Sequence, residues 1–199
     1  MDKKLFENYI KIFLEENSKL NLISKNDEKY LWEKHIFDSL AIERFFKEYD
    51  INPSGKTLLD FGTGGGFPSV PVAISYPELS VTALDSIRKK INAIEEMKEK
   101  LSIKNLETIC GRVENLQKKF DFITSRAVAS MDKLIPYAMP RLNSDGYFIA
   151  YKSLKVQEEL EKAAPMLKKY NAKVLSIIEY ELPLEENHTR NLVIIRKTN

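Results

Sequence analysis

The chain has 199 residues, 43% of them hydrophobic and 30% charged, which suits one globular domain with a single core and at most a small extension. One cysteine excludes an internal disulfide, and no Cys/His cluster has metal-ligand spacing, so no metal centre is expected. The net charge of +2 does not mark a nucleic-acid binder by itself, so basic groups serving such a partner would have to be gathered on one face.

In chain order, the first fifty residues read as helical. Leu5, Tyr9, Ile12 and Phe13 recur at helical spacing, as do Ile36, Leu40 and Phe45, and such stripes are core-facing. Glu7, Glu15 and Glu16 break up the N-terminal apolar residues, so no secretory leader is expected there. No run approaches the roughly 20 apolar residues that span a bilayer, so a cytoplasmic protein without membrane contact is expected. The turn-rich segment 51–55 (INPSG) divides the chain into an N-terminal helical extension, 1–52, and a core, 53–199.

Beyond that break, short apolar runs alternate with helical ones. Segments 57–61, 81–85, 106–110, 120–125 and 146–151 read as strands. Residues 86–101 form an amphipathic helix with Ile87, Ile91, Ile94, Met97 and Leu101 on one face. Residues 134–139 and 154–170 are helical, and Pro165 should bend or split the latter. The tail adds strands at 172–182 and 191–197 with no helix between them. The pattern predicts an α/β fold with a mostly parallel seven-stranded sheet, helices on both faces and an antiparallel hairpin at one edge. Ligands in such a sheet sit beyond the carboxyl ends of the strands, near the topological switch point.

The most informative stretch is LLDFGTGGGFP, 58–68. A strand ends at Asp60, Gly62, Gly64 and Gly66 follow at alternate positions, and Pro68 and Pro71 open a helix. The dinucleotide fingerprint G-x-G-x-x-G does not fit: read from Gly62 its third glycine falls on Phe67, and read from Gly64 on Ser69. The D-x-G-x-G-x-G pattern instead resembles the Rossmann-like enzymes that use S-adenosylmethionine, a cofactor without phosphate. Asp85, ending the second strand 25 positions after Asp60, can accept hydrogen bonds from two ribose hydroxyls, although N-capping the next helix is an alternative role. Glu114 follows the third strand, where adenine would sit. Ser125 and Arg126 end the fourth strand, where amine methyltransferases usually carry [DNS]-P-P-[YF]; S-R-A-V stands here instead. Cys110 lies on the wrong strand for a pyrimidine-methylating nucleophile and reads as a small buried residue.

Together, NSKLNLIS (17–24), KHIFDSL (34–40), LLDFGTGGGFPSVPVAI (58–74), LDSIRKK (84–90), GRVEN (111–115), FDFITSRAVAS (120–130), GYFIAYKS (146–153) and RNLVIIRK (190–197) resemble the glucose-inhibited division protein B family, the bacterial 16S ribosomal RNA guanine-N7 methyltransferases. The resemblance runs nearly end to end. It implies a class I methyltransferase fold, S-adenosyl-L-methionine as cofactor, and 16S rRNA or the small ribosomal subunit as partner, with a monomer expected. It implies cofactor contacts from Gly62, Gly64, Gly66, Phe67, Asp85, Val113, Glu114 and Arg126, and an RNA-facing role for His35, Asp38, Lys152 and Arg190. Ser69 and Ser153 stand where the family usually has glycine.

A histidine inside the helical extension is as readily a structural one, so both roles stay open for His35, while His188 reads as plain surface. Lys89-Lys90 and Lys118-Lys119 read as solvated faces. No catalytic base is expected, because guanine N7 offers a free lone pair and no proton must leave. Other readings stay open: a related methyltransferase acting on another RNA position or a small molecule, or a non-enzymatic ribosome-assembly factor. An NAD-dependent oxidoreductase is disfavoured by Phe67.

Overall fold

The computed structural model describes residues 3–186 and 188–198; positions 1 and 199, the outer bounds of the two expected segments, lie outside them. Helix α1 (Glu7–Leu20) follows a short 3-10 turn, Lys3–Phe6. After α2 (Lys25–Glu28) the chain winds through a wide π-helical segment, Leu31–Phe37, and then α3 (Ile42–Glu48). The sheet contains β1 (Thr57–Phe61), β2 (Ser80–Asp85), β3 (Leu106–Cys110), β4 (Phe120–Arg126), β5 (Leu142–Lys152), β6 (Ala172–Glu181) and β7 (Thr189–Lys197). Between them run α4 (Ser69–Ser75), α5 (Arg88–Lys100), α6 (Met131–Ala138) and α7 (Val156–Lys169).

The strands lie in the order β3-β2-β1-β4-β5-β7-β6. All pairs from β3 to β5 are parallel, and β7 is antiparallel to both β5 and β6. The chain builds outward from β1 to β3 and then restarts at β4 on the other side of β1. The reversal leaves a crevice above the carboxyl ends of β1 and β4, where ligands bind in such sheets.

Central strands are buried on both faces, so neighbouring residues serve opposite cores. Leu58 and Phe122 join the cluster under the N-terminal helices, α4 and α5, while Leu59 and Ile123 join the cluster under α6 and α7. The N-terminal helices build no core of their own. Phe13, Ile36, Ile42 and Phe45 are fully buried in the sheet's first cluster. Phe45 stacks edge-on to Phe122 and Tyr147, and Lys100 of α5 donates to the buried Glu16 of α1 at 2.8 Å.

Three expectations about these elements need correction. Leu5 is 55% exposed, because it lies in the 3-10 turn ahead of α1 and Phe6 takes the inward place. Ile87 is not on the buried face of α5: it precedes the helix in extended backbone, φ −95° and ψ 102°, and is 41% exposed. Pro165 does not split α7, which runs on to Lys169; it sits on the exposed side, where water can take the carbonyl it leaves unpaired.

Truncation therefore measures how far the extension belongs to the core. Phe13→Ala should lower the unfolding free energy by about 3–5 kcal/mol, whereas Leu5→Ala should change it by less than about 0.5 kcal/mol. Urea denaturation of both variants checks the contrast; equal effects would show that α1 is not anchored through Phe13.

Candidate active site

The turn after β1 is shaped by the strand beside it. Gly62 N and Thr63 N both donate to Leu84 O of β2, at 2.7 and 3.1 Å. Gly62 adopts φ +71°, and a methyl of Val128 occupies the space a Cβ would need. Gly64, at φ +60°, faces almost empty space on that side, so a ligand can lie against bare main chain. Beneath the turn Asp60 is fully buried, accepting from Ser69 N at 3.2 Å and Thr124 Oγ1 at 3.0 Å. Burial pushes its carboxyl up to about 6, against the pull of hydrogen bonds from Thr63, Thr124 and Ser69. Ser69, where glycine was expected, earns its place by a 2.6 Å hydroxyl contact with Thr63.

Asp85 closes the other side of the turn. Its Oδ2 accepts from Gly64 N and its Oδ1 from Ile87 N, both at 2.9 Å. Each oxygen retains a further lone pair, and the residue lines a cleft of about 460 Å³ with Gly62, Ile87, Val113, Glu114 and Val128. Four sequence-predicted cofactor residues thus meet: Gly62, Asp85, Val113 and Glu114. Lys90 joins their cleft, although it had read as solvated surface.

Phe67 and Arg126 are elsewhere. Phe67 is buried, its ring centroid 5.0 Å from both Phe13 and His35, so it supports the turn from below and does not line the cleft. Gly66 is also buried, against Val70. Arg126 belongs to a second cleft of about 450 Å³, which also collects His35, Asp38, Lys152, His188 and Arg190. Ala127 lines both clefts and stands at φ +56°, in the left-handed region that non-glycine residues seldom adopt.

The second cleft gathers every residue the resemblance assigned to RNA, but not all of them face outward. Asp38 is buried; its Oδ2 accepts from Arg126 Nη1 at 2.8 Å and its Oδ1 from Tyr180 OH at 2.6 Å. That corrects the expectation that Asp38 faces RNA: a carboxylate spent on two buried donors holds the wall of the cleft. Lys152 donates to Ala129 O at 2.6 Å and Glu159 Oε2 at 2.7 Å, anchoring the loop after β4. Arg126 Nη2 meets His35 Nδ1 at 3.1 Å; a guanidinium can only donate, so Nδ1 accepts and the ring proton sits on Nε2. Burial and the nearby Arg126 charge hold His35 down at about 4, so the ring is neutral near pH 7. Among the described residues Arg190 donates only to the adjoining Thr189 O, at 3.4 Å, which leaves its guanidinium available. His188, expected to be plain surface, lines this cleft, as does the 2.8 Å pair of Lys34 and Asp27, which sequence reasoning passed over. Cys110 is only half-buried, its thiol pointing to Ser86 O. Among the described residues no group of three or more His, Cys, Asp or Glu could hold a metal ion.

Sheet order, glycine turn and strand-end acid together define the Rossmann-like methyltransferase fold. Solved structures agree: an S-adenosylmethionine-dependent methyltransferase from Clostridium acetobutylicum superposes with TM-score 0.64 at 15% identity, over 87% of this chain and 99% of that one. TrmN from Thermus thermophilus superposes with TM-score 0.65 at 14% identity, over 83% of this chain and 53% of that one. Residues 2–197 match the family rRNA small subunit methyltransferase G, and the chain belongs to that family. Relatives include the ribosomal RNA small subunit methyltransferase G of Lachnoclostridium phytofermentans, 39% identical over 96% of this chain and 80% of its own. That of Lactobacillus helveticus is 36% identical over 98% and 82%.

Asp60 gives this site a pH signature. A carboxyl raised from 3.8 to about 6 in the folded state adds stability that is complete below its unfolded value and is lost as pH rises through 6. The loss is about 3 kcal/mol by the time the carboxyl is ionised in the folded state. Asp60→Asn removes it, so the variant should gain on the wild type by roughly that amount between pH 4 and pH 7. Urea unfolding at both pH values tests this; a constant difference would mean Asp60 titrates normally.

Proposed function

We propose that this chain transfers a methyl group from S-adenosylmethionine to guanine N7 in 16S rRNA, in the cytoplasm and as a monomer. In this reading 53–199 is the cofactor-binding core and 1–52 completes the RNA side. The observation that carries it is the meeting of two unlike clefts at Ala127: one with a bare glycine turn and an acid, the other with a free guanidinium.

The residues present fit the cofactor. Asp85 retains lone pairs for a ribose diol, while Ile87, Val113 and Val128 offer apolar walls for a base. Gly62 and Gly64 would receive the methionine part, Phe67 and Gly66 would support the turn from beneath, and Glu114 would meet the adenine edge. When bound, the cofactor supplies an electrophilic methyl on a sulfonium. In the other cleft Arg190 can reach a phosphate or a base carbonyl, with Lys152 and His35 behind it. RNA's deep groove hides N7 in a regular helix, so the target is a base exposed in a loop.

N7 methylation moves positive charge onto the purine and releases no proton, so the chain need only orient the base and exclude water. A neutral His35 suits this, since an imidazolium beside N7 would oppose the developing cation; by the same argument the Arg126 guanidinium should face the cofactor, guanine O6 or a phosphate and not N7.

The deciding experiment is mass spectrometry of small-subunit RNA from cells with and without the gene. A 7-methylguanine present only with the gene supports the reading, and identical RNA overturns it. Calorimetry should show binding of S-adenosylmethionine and none of NAD. Asp85→Ala should weaken that binding roughly tenfold to a hundredfold, the effect of one lost hydrogen bond to a charged acceptor; an unchanged dissociation constant would remove Asp85 from the site. Single-turnover methyl transfer should be flat from about pH 7 to 9, because no acting group titrates in that window. A bell-shaped profile lost on His35→Gln would show that a base operates.

A further inference from the structure

Arg126 reaches the cleft from the end of β4, yet its grip comes from elsewhere. Nη1 donates to Asp38 Oδ2 at 2.8 Å and to Lys34 O at 3.1 Å, and Nη2 meets His35 Nδ1 at 3.1 Å. The guanidinium lies over the Phe67 ring, 5.2 Å from its centroid. Asp38 is held in turn by Tyr180, whose hydroxyl donates to Oδ1 at 2.6 Å. Tyr180 comes from β6, the far edge strand, and is 4% exposed, with the Arg44 guanidinium 5.7 Å from its ring centroid. In register it faces Arg190 of β7, which lines the same cleft.

The arrangement is a chain of three side chains from three parts of the sequence: Tyr180 to Asp38 to Arg126. Nη1 is fully used, so rotation about the guanidinium bonds would break an ion pair in which Asp38 is only 6% exposed. Among the described residues Nε has no partner, so Arg126 keeps a donor for a ligand in the cleft. A carboxylate free to swing on its Oδ2 side would let that donor wander; the Tyr180 hydroxyl removes this freedom. Burial and the Asp38 charge both disfavour loss of the hydroxyl proton, so Tyr180 stays a donor.

We propose that Tyr180 is a positioning residue for methyl transfer, acting through Asp38 to hold the Arg126 guanidinium in one orientation at the junction of the two clefts. This rests on the functional reading above, in which that junction is where substrate and cofactor meet. It gives the C-terminal hairpin a part in the reaction that its edge position does not announce.

Tyr180→Phe removes one oxygen and keeps the ring. Single-turnover methyl transfer to small-subunit RNA should fall roughly tenfold or more, with the S-adenosylmethionine dissociation constant unchanged. In an Arg126→Lys background, which keeps the charge without the fork, the same change should cost nothing further. Additive losses would show that Tyr180 does not act through Arg126 and would overturn the proposal. A second readout needs no RNA. In the wild type, nitrogen-15 NMR should show separate Nη signals for an Arg126 guanidinium that cannot rotate, and in Tyr180→Phe they should merge. Should Tyr180→Phe not fold, Asp38→Asn is the second variant and should merge the same signals. Separate signals that survive substitution would sink the relay, whereas a wild type that locks Arg126 but methylates no RNA would instead overturn the functional reading.

Discussion

A guanidinium taken out of water must find partners inside the protein, and Arg126 finds all of them outside its own strand. Its side chain is 15% exposed, and its acid comes from the π-helical stretch and the turn after it. Removing one member of a buried pair costs about 3–5 kcal/mol, since the other is left charged and alone. The N-terminal helices therefore cannot leave the sheet without stranding that charge. The same dependence runs through Phe67, whose ring touches Tyr9, Phe13 and His35 on one side of the glycine turn. The extension is thus a wall of the second cleft.

The glycine turn has a different foundation. Main-chain donors of Gly62 and Thr63 hang on one carbonyl of β2, and Asp85 catches Gly64 from the same strand. Below, Asp60 is held by hydroxyls and an amide, with no ion pair among the described residues. One cleft is consequently built mostly from backbone and apolar side chains around Asp85, with Glu114 and Lys90 also on its lining. The other is built from long charged side chains that hold one another. Unlike walls suit unlike ligands, as the proposed cofactor, with its ribose diol and apolar base face, and a phosphate-bearing chain would be.

Much of this was legible in the sequence where the signal is local. Strand periodicity, the absence of a helix between the last two strands, and the spacing of Gly62, Gly64 and Gly66 are short-range features, and each maps onto an element. Asp85 was legible for the same reason: a strand end before a helix is a local position. What escaped depends on partners far along the chain. Asp38 and Arg126 are 88 positions apart and Asp38 and Tyr180 are 142, so no periodicity links them. Tyr180 did carry one signal: a phenol at an inward strand position must find a hydrogen-bond partner. Ile87 misled because the apolar spacing continues to the residue just ahead of the true start of α5. His188 misled because a polar loop gives no hint of the cleft it borders.

Ala127 shows how little separates the two clefts. Its left-handed backbone turns the chain back at the end of β4, so the same residue forms a wall of each cleft. In the proposed reaction the reacting atoms must come within about 3–3.5 Å of each other. A branched side chain at 127 would be strained by the backbone angle. Alanine at this position leaves the two clefts adjoining, which the proposed methyl crossing would require.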